Sequence, residues 1–150
     1  MPCFDNPTVL VTRPQNSSER FVAELRANSG RFQPLICPAF EIAATGAEMP
    51  TFDAAVFTSC AGVAHAPQGG GRVAYCVGEA TSEAARCAGY RPINAAGDAA
   101  DLIALILEQR PTDNLLHVRG ETSVGNVSSI LQSNGMNARE VVKYRKVPQA

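Results

Sequence analysis

The sequence predicts an α/β protein built on a doubly wound, mostly parallel sheet. Three observations carry this. Short apolar runs rich in β-branched residues recur along the chain: TVLVT at 8–12, DAAVFT at 53–58, RVAYCV at 72–77 and NLLHV at 114–118. None alternates polar with apolar, as strands covered on both faces require. Segments of helical character lie between them and end at Gly30, Gly89, Pro111 and Gly135. Strand-helix-strand alternation implies right-handed crossovers and a parallel sheet with helices on both sides.

Each element follows in order. Thr8–Thr12 is the first strand, stopped by Arg13-Pro14. Asn16 is read as the cap of the next helix, with Glu19 three residues on completing a capping box. Phe21, Val22 and Leu25 share one face of that helix. Residues 32–36 form a strand that Pro34 confines to an edge. Residues 38–43 are read as a link. The strand at 53–58 leads through Ser59-Cys60-Ala61-Gly62 into a short helix ending near Ala66, then the glycine loop 69–71. Strand 72–77 is followed by a helix over 79–88, and strand 91–94 by a helix that Asp98 caps. The strand 114–118 leaves through an exit loop, Arg119-Gly120-Glu121. A helix over Val124–Asn134 and a strand over 137–145 complete the reading.

Composition bounds the function. The chain has 150 residues, 45% apolar and 18% charged, enough for a packed core. A net charge of −1 and a pI near 6.1 leave no general nucleic-acid footprint. No apolar run approaches the length of a membrane span. The start, Met1 to Asn6, lacks the basic and apolar regions of a secretory signal, so a cytoplasmic location is expected. Five cysteines at 3, 37, 60, 76 and 87, with no CxxC pair, fit reduced, mostly core thiols rather than disulfides or a zinc site.

In open α/β sheets ligands gather outside the carboxyl ends of the strands. Those ends here are Thr12-Arg13-Pro14, Thr58-Ser59-Cys60, Gly78-Glu79-Ala80-Thr81, Ala96-Gly97-Asp98 and Arg119-Gly120-Glu121-Thr122. Hydroxyls and free N–H groups at helix starts suit carboxylates or phosphates. The same residue types also simply cap helices. The phosphate, hydrolase and metalloprotease motifs are absent, and no His, Cys and Asp spacing suggests a metal. His117, inside its apolar strand, reads as a hydrogen-bonded strand residue, and His65 sits beside an Ala-Pro break. Cys60 has no base nearby in sequence to make it a nucleophile. Tyr144, flanked by Lys143, Arg145 and Lys146, has two readings: a proton donor whose ionised form the cations favour, or an edge tyrosine among solvated lysines.

VLVTRP at 9–14, FTSCAGV at 57–63, CVGEATSEAARCAGY at 76–90, GDAADLIALI at 97–106, LLHVRGE at 115–121 and VVKYRKVP at 141–148 stand in the order found in uroporphyrinogen-III synthase, which the chain resembles over nearly its whole length. The resemblance implies an enzyme that closes the linear tetrapyrrole hydroxymethylbilane, inverts the last pyrrole ring and loses water. It implies no cofactor and no metal. Substrate carboxylates would be held by backbone amides and hydroxyls in a cleft between two α/β lobes. Ser59 matches the family's serine after the strand end, Thr81 the threonine at a helix start, and Tyr144 the tyrosine proposed as the acid. The expected site is therefore Tyr144 as catalyst, with Thr12, Arg13, Ser59, Thr81, Gly97, Arg119 and Gly120 binding substrate. Ser59, Thr81 and Tyr144 are expected to share one crevice with the Gly97 and Gly120 loops.

By the same resemblance, residues 1–35 are the βα segment of an incomplete first lobe. Residues 36–145 form a flavodoxin-like second lobe, and 146–150 a return linker. The orphan segment would expose apolar surface open to self-association. A half-built cleft makes the alternative a truncated, catalytically weak module that binds tetrapyrrole without turnover. An unrelated receiver or nucleotide-binding domain ranks last, because Thr12-Arg13-Pro14 offers a cation where a receiver needs acids.

Overall fold

The computed structural model describes residues 7–123 and 125–149. The expectations for Cys3 and for Val124 as a helix start lie outside them. By internal contacts the chain forms two units. The first holds the described residues up to Ala43 and those from Lys146, and the second is Ala44–Arg145.

In the first unit, β1 (Thr8–Val11) pairs in parallel with β2 (Gln33–Ile36), Val9 opposite Pro34 and Leu10 opposite Leu35. Helix α1 (Gln15–Ser29) contributes Val22 to a small core with Val11 and Phe32. The expected Asn16 cap is not formed. Pro14 sits at the cap with extended ψ of 148°, the helix starts at once, and the Ser18 hydroxyl donates back to the Arg13 carbonyl. Gln15 bonds the Glu19 carboxylate instead. Leu10 and Leu35 remain 60% and 54% exposed. The link expected at 38–43 is largely strand β3 (Phe40–Ala44), because it pairs with the distant β8. Local alternation cannot reveal such a partner.

The second unit carries β4 (Ala54–Phe57), α2 (Cys60–Ala64), β5 (Val73–Cys76), α3 (Glu79–Cys87), β6 (Arg91–Asn94), α4 (Ala99–Gln109), β7 (Leu115–Gly120), α5 (Val127–Ser133) and β8 (Ala138–Pro148). The sheet order is β3-β8-β7-β4-β5-β6, and the four ladders joining β4 through β8 are all parallel. Counted from β4, the five strands run 3-2-1-4-5 in order of first use outward from the centre. A flavodoxin-like lobe would run 2-1-3-4-5, so that part of the expectation is corrected. Apolar runs identify strands, but their lateral order follows from which face each helix covers.

Alternate strand residues face opposite ways, and each face has its own core. Phe57, Ala74, Cys76, Leu116, Val118 and Val141 pack with Val63 of α2 and Ala85 of α3. Ala54, Val56, Tyr75 and Leu115 pack with Leu102, Ile103 and Ile106 of α4 and with Val127 and Leu131 of α5. The chain thus winds outward from β4 on the α2/α3 face and returns on the α4/α5 face. Loops leaving β4 and β7 part to opposite sides, the arrangement of a topological switch point.

Two boundaries at this edge differ from expectation. Strand β7 continues through Arg119 and Gly120, which are not loop residues, because β8 pairs with both. Strand β8 runs to Pro148 rather than ending at 145 before a linker, and Gln149 still donates to the Ala39 carbonyl. The described thiols at 37, 60, 76 and 87 are free, but only Cys76 is buried and Cys37 and Cys87 are exposed. Among the described residues no helix is long and apolar enough to cross a membrane.

Candidate active site

The register of β8 against β7 decides where Tyr144 points. His117 pairs with Glu140, Val118 with Val141 and Arg119 with Val142, but Gly120 pairs with Tyr144. Lys143 is an extra residue, a β-bulge. Without it, Tyr144 would face α4 and α5. With it, the ring turns to the α2/α3 face and packs against Gly120. A Cβ at Gly120 would sit 2.5 Å from the Tyr144 ring, so only glycine admits the ring. The Tyr144 hydroxyl meets the Ser59 hydroxyl at 2.7 Å.

Ser59 is fixed by its own helix. It is the N-cap of α2 in extended conformation, and its oxygen accepts the Gly62 N–H at 3.1 Å. Gly62 lets α2 sit close on β7, since a Cβ there would lie 2.6 Å from the Val118 carbonyl. The side chain that caps the helix therefore also holds the phenol. The imidazole of His65 stacks on the Tyr144 ring, at 5.1 Å between centroids and 30° between planes. His65 Nδ1 is 2.8 Å from the Ala61 carbonyl. A carbonyl only accepts, so Nδ1 carries the proton. Sequence reasoning passed over His65; its only signal was its place one residue beyond a helix that starts at the candidate Ser59.

The cations flanking Tyr144 have other contacts. Lys143 donates to the Ala47 carbonyl at 2.5 Å, and the Lys146 ammonium stands over the Phe40 ring. Arg145 lines a hollow of about 300 Å³ with Thr45 and Glu121.

The remaining expected site residues separate. Thr81 is in the first turn of α3 but buried, its hydroxyl 3.9 Å from the thiol of Cys60, the residue after Ser59. Gly97 belongs to the loop after β6, which folds back: its N–H donates to the Val77 carbonyl beyond β5 at 3.0 Å, and Ala99, two residues on, lies against Gly125 of the loop after β7. It makes room for Asp101, which forms a reciprocal capping box with Asp98. The Asp101 N–H, the leading cause, holds the Asp98 carboxyl below its usual range. Thr12 and Arg13 are exposed in the first unit, where the Thr12 carbonyl accepts from Ala39 and the Arg13 guanidinium covers the Phe21 ring.

Arg119 alternates with Gly120 and so faces α5. Its guanidinium bonds Glu140 at 3.0 Å and the carbonyls of Gly120 and Glu121. Burial alone would raise the Glu140 pKa, but bonds from Arg119 and Ser128 outweigh it and the carboxyl lies low. On the same face His117 is buried, with Nε2 3.0 Å from the Thr58 hydroxyl and Nδ1 without a partner among the described residues. Burial first, then the Arg119 charge, pushes its pKa down to about 4, and Glu140 only partly opposes them. His117 is a neutral strand residue. Burial likewise pushes the Cys76 thiol up to about 11, outweighing a bond to Ser82, so it is no nucleophile. No group of three His, Cys, Asp or Glu among the described residues could hold a metal.

The family model for uroporphyrinogen-III synthase HemD matches residues 9–150. The chain belongs to the uroporphyrinogen-III synthase family. Two solved structures share its fold. The uroporphyrinogen-III synthetase of Helicobacter pylori superposes with a TM-score of 0.59 at 15% identity, over 97% of this chain and 63% of that one. A mutant uroporphyrinogen III synthase from the extremely thermophilic bacterium Thermus thermophilus gives 0.57 at 16% identity, over 95% and 64%. This uroporphyrinogen-III synthase family chain thus spans a little under two thirds of the length of those relatives. No curated protein matches it.

Proposed function

We propose that this chain carries the proton-donating part of a uroporphyrinogen-III synthase site, and that Tyr144 is the acid. The substrate would be hydroxymethylbilane, whose hydroxyl must take up a proton as its C–O bond breaks. The observation that carries this is the 2.7 Å contact between Tyr144 and Ser59 at the start of α2. With the Gly62 N–H on its oxygen, Ser59 can turn its own proton toward Tyr144. That leaves the phenolic hydrogen for the leaving hydroxyl. The phenolate formed then keeps the Ser59 donor, and the hydrogen-bonded chain from backbone to serine to tyrosine strengthens each link.

The reaction needs no redox step, so an enzyme working without a cofactor, in the cytoplasm, fits the chemistry. Ser59 contacts the acid directly. Thr12 and Arg13 belong to the first unit and carry no part of this proposal. Thr81, which is buried, would act through Cys60 and the start of α2. Gly120 acts by seating the Tyr144 ring. Arg119 leaves the proposed site because its face and partners are elsewhere, whereas Gly97 stays in it as a proposed backbone contact.

A second reading has one observation behind it. The chain spans 63% of the Helicobacter pylori relative, and a module of that extent would bind tetrapyrrole with weak turnover. One assay addresses both. Hydroxymethylbilane cyclises unaided to the type I product, so the ratio of type III to type I reports catalysis. Type III formation that falls about 10²-fold in Tyr144→Phe supports the acid. An unchanged ratio removes it. Binding of hydroxymethylbilane with only type I product selects the second reading.

A further inference from the structure

Three groups hold the Tyr144 side chain: Gly120 against its ring, Ser59 at its oxygen, and His65 stacked on its plane. His65 lies one residue beyond α2, and its own orientation is determined by the Nδ1 bond to Ala61 within that helix. One short helix therefore supplies both the hydroxyl that holds the phenol oxygen and the ring that holds the phenol plane. A flat aromatic ring seated on a glycine can slide in its plane and flip about χ2; a stacked neighbour anchored at a second point limits both motions. Ring placement matters because a general acid must be within hydrogen-bond reach of the oxygen it protonates. The Nδ1 proton is committed to Ala61, which makes the imidazole a held plate rather than a free side chain.

We infer that His65 is a positioning residue for Tyr144: it clamps the phenol against Gly120 so that the oxygen stays at Ser59. The inference rests on the reading of Tyr144 as the acid. Its action is through Tyr144, and the ring rather than a proton on His65 is what it contributes.

The test uses the chain with 3-fluorotyrosine at its three tyrosines, Tyr75, Tyr90 and Tyr144, and assigns the Tyr144 resonance by its loss in Tyr144→Phe. In His65→Ala the Tyr144 fluorine line should move and lose the ring-current contribution of the stack. The Tyr75 and Tyr90 lines, deep in the cores, should stay in place and certify the fold. Type III formation should lose about tenfold in kcat, with KM within about twofold, as misplacement of a reacting group predicts. His65→Phe, a ring without the Nδ1 anchor, should recover most of the line position and rate. His65→Asn, a donor without the ring, should recover neither. An unmoved Tyr144 line in His65→Ala, or a moved line with unchanged kcat, overturns the clamp, as does rescue by Asn equal to rescue by Phe. If Tyr144→Phe itself leaves type III formation intact, the acid assignment fails on its own, while the fluorine line still reports whether His65 holds the ring.

Discussion

The two faces of the sheet treat their strand ends in opposite ways. On the α2/α3 face, Tyr144, Ser59 and His65 form a small polar assembly in which the phenol ring packs against Gly120 and its hydroxyl meets that of Ser59. On the α4/α5 face, Arg119, Glu140, Ser128 and His117 satisfy one another or are shut away from water. The contrast begins between neighbours in sequence: Gly120 belongs to the first face and Arg119 to the second. A charged side chain at a strand end is therefore no guide to a site until its face is known. The small residue beside it, which offers no chemistry of its own, is the one that admits the Tyr144 ring.

Three substitutions test that division. The largest effect is expected for Gly120→Val, whose branched side chain occupies the space of the Tyr144 ring. Type III formation should fall by about 10²-fold or more, because the phenol oxygen leaves Ser59. Retained activity would show that the ring can be seated some other way.

Next comes acid stability, which belongs to the other face. His117 is neutral in the fold with a pKa near 4, against about 6.5 when unfolded. Between those values the unfolded chain binds the extra proton, so stability is full above about pH 6.5 and is lost as pH falls toward 4. On going from pH 7 to pH 4.5 the loss from this one group amounts to about 2–3 kcal/mol. Urea unfolding at both pH values should show a clearly smaller acid loss in His117→Gln. An equal loss in both chains would mean that other groups account for it.

Arg119→Met should lower stability by no more than about 1 kcal/mol, since the Glu140 carboxylate it pairs with is exposed to water. The same variant should make type III product at a rate within about twofold of the unaltered chain. A loss comparable to Tyr144→Phe would return Arg119 to the substrate site and undo the separation of the faces.

Much of the fold was legible because burial on both faces demands uninterrupted apolar runs, and AAVF at 54–57 and LLHV at 115–118 supply them. The Asp98 cap was legible for a related reason: its partner, Asp101, is only three residues away. Strand β3 was not, because its polar and apolar residues make sense only beside β8, about a hundred residues later. Nor was the true start of α1, where the rigid backbone of Pro14 replaced a side-chain cap. Among the candidate site residues, Ser59 was legible at a strand end and Tyr144 was singled out by the family resemblance, whereas neither signal reached His65. Its partner in the stack lies 79 positions away in sequence.

By itself the sequence determined that strands and helices alternate, that β4, β5 and β7 are buried on both faces, and that hydroxyls and glycines gather at strand carboxyl ends. Those properties follow from local composition and short-range hydrogen bonding. The tertiary structure alone decided the order of the strands and the face each end residue takes. Side chains on a strand alternate with a period of two, so one extra residue reverses every position after it. The bulge at Lys143 is that residue, and it arises only where β8 meets β7. Through it Tyr144 turns from the α4/α5 side to Ser59.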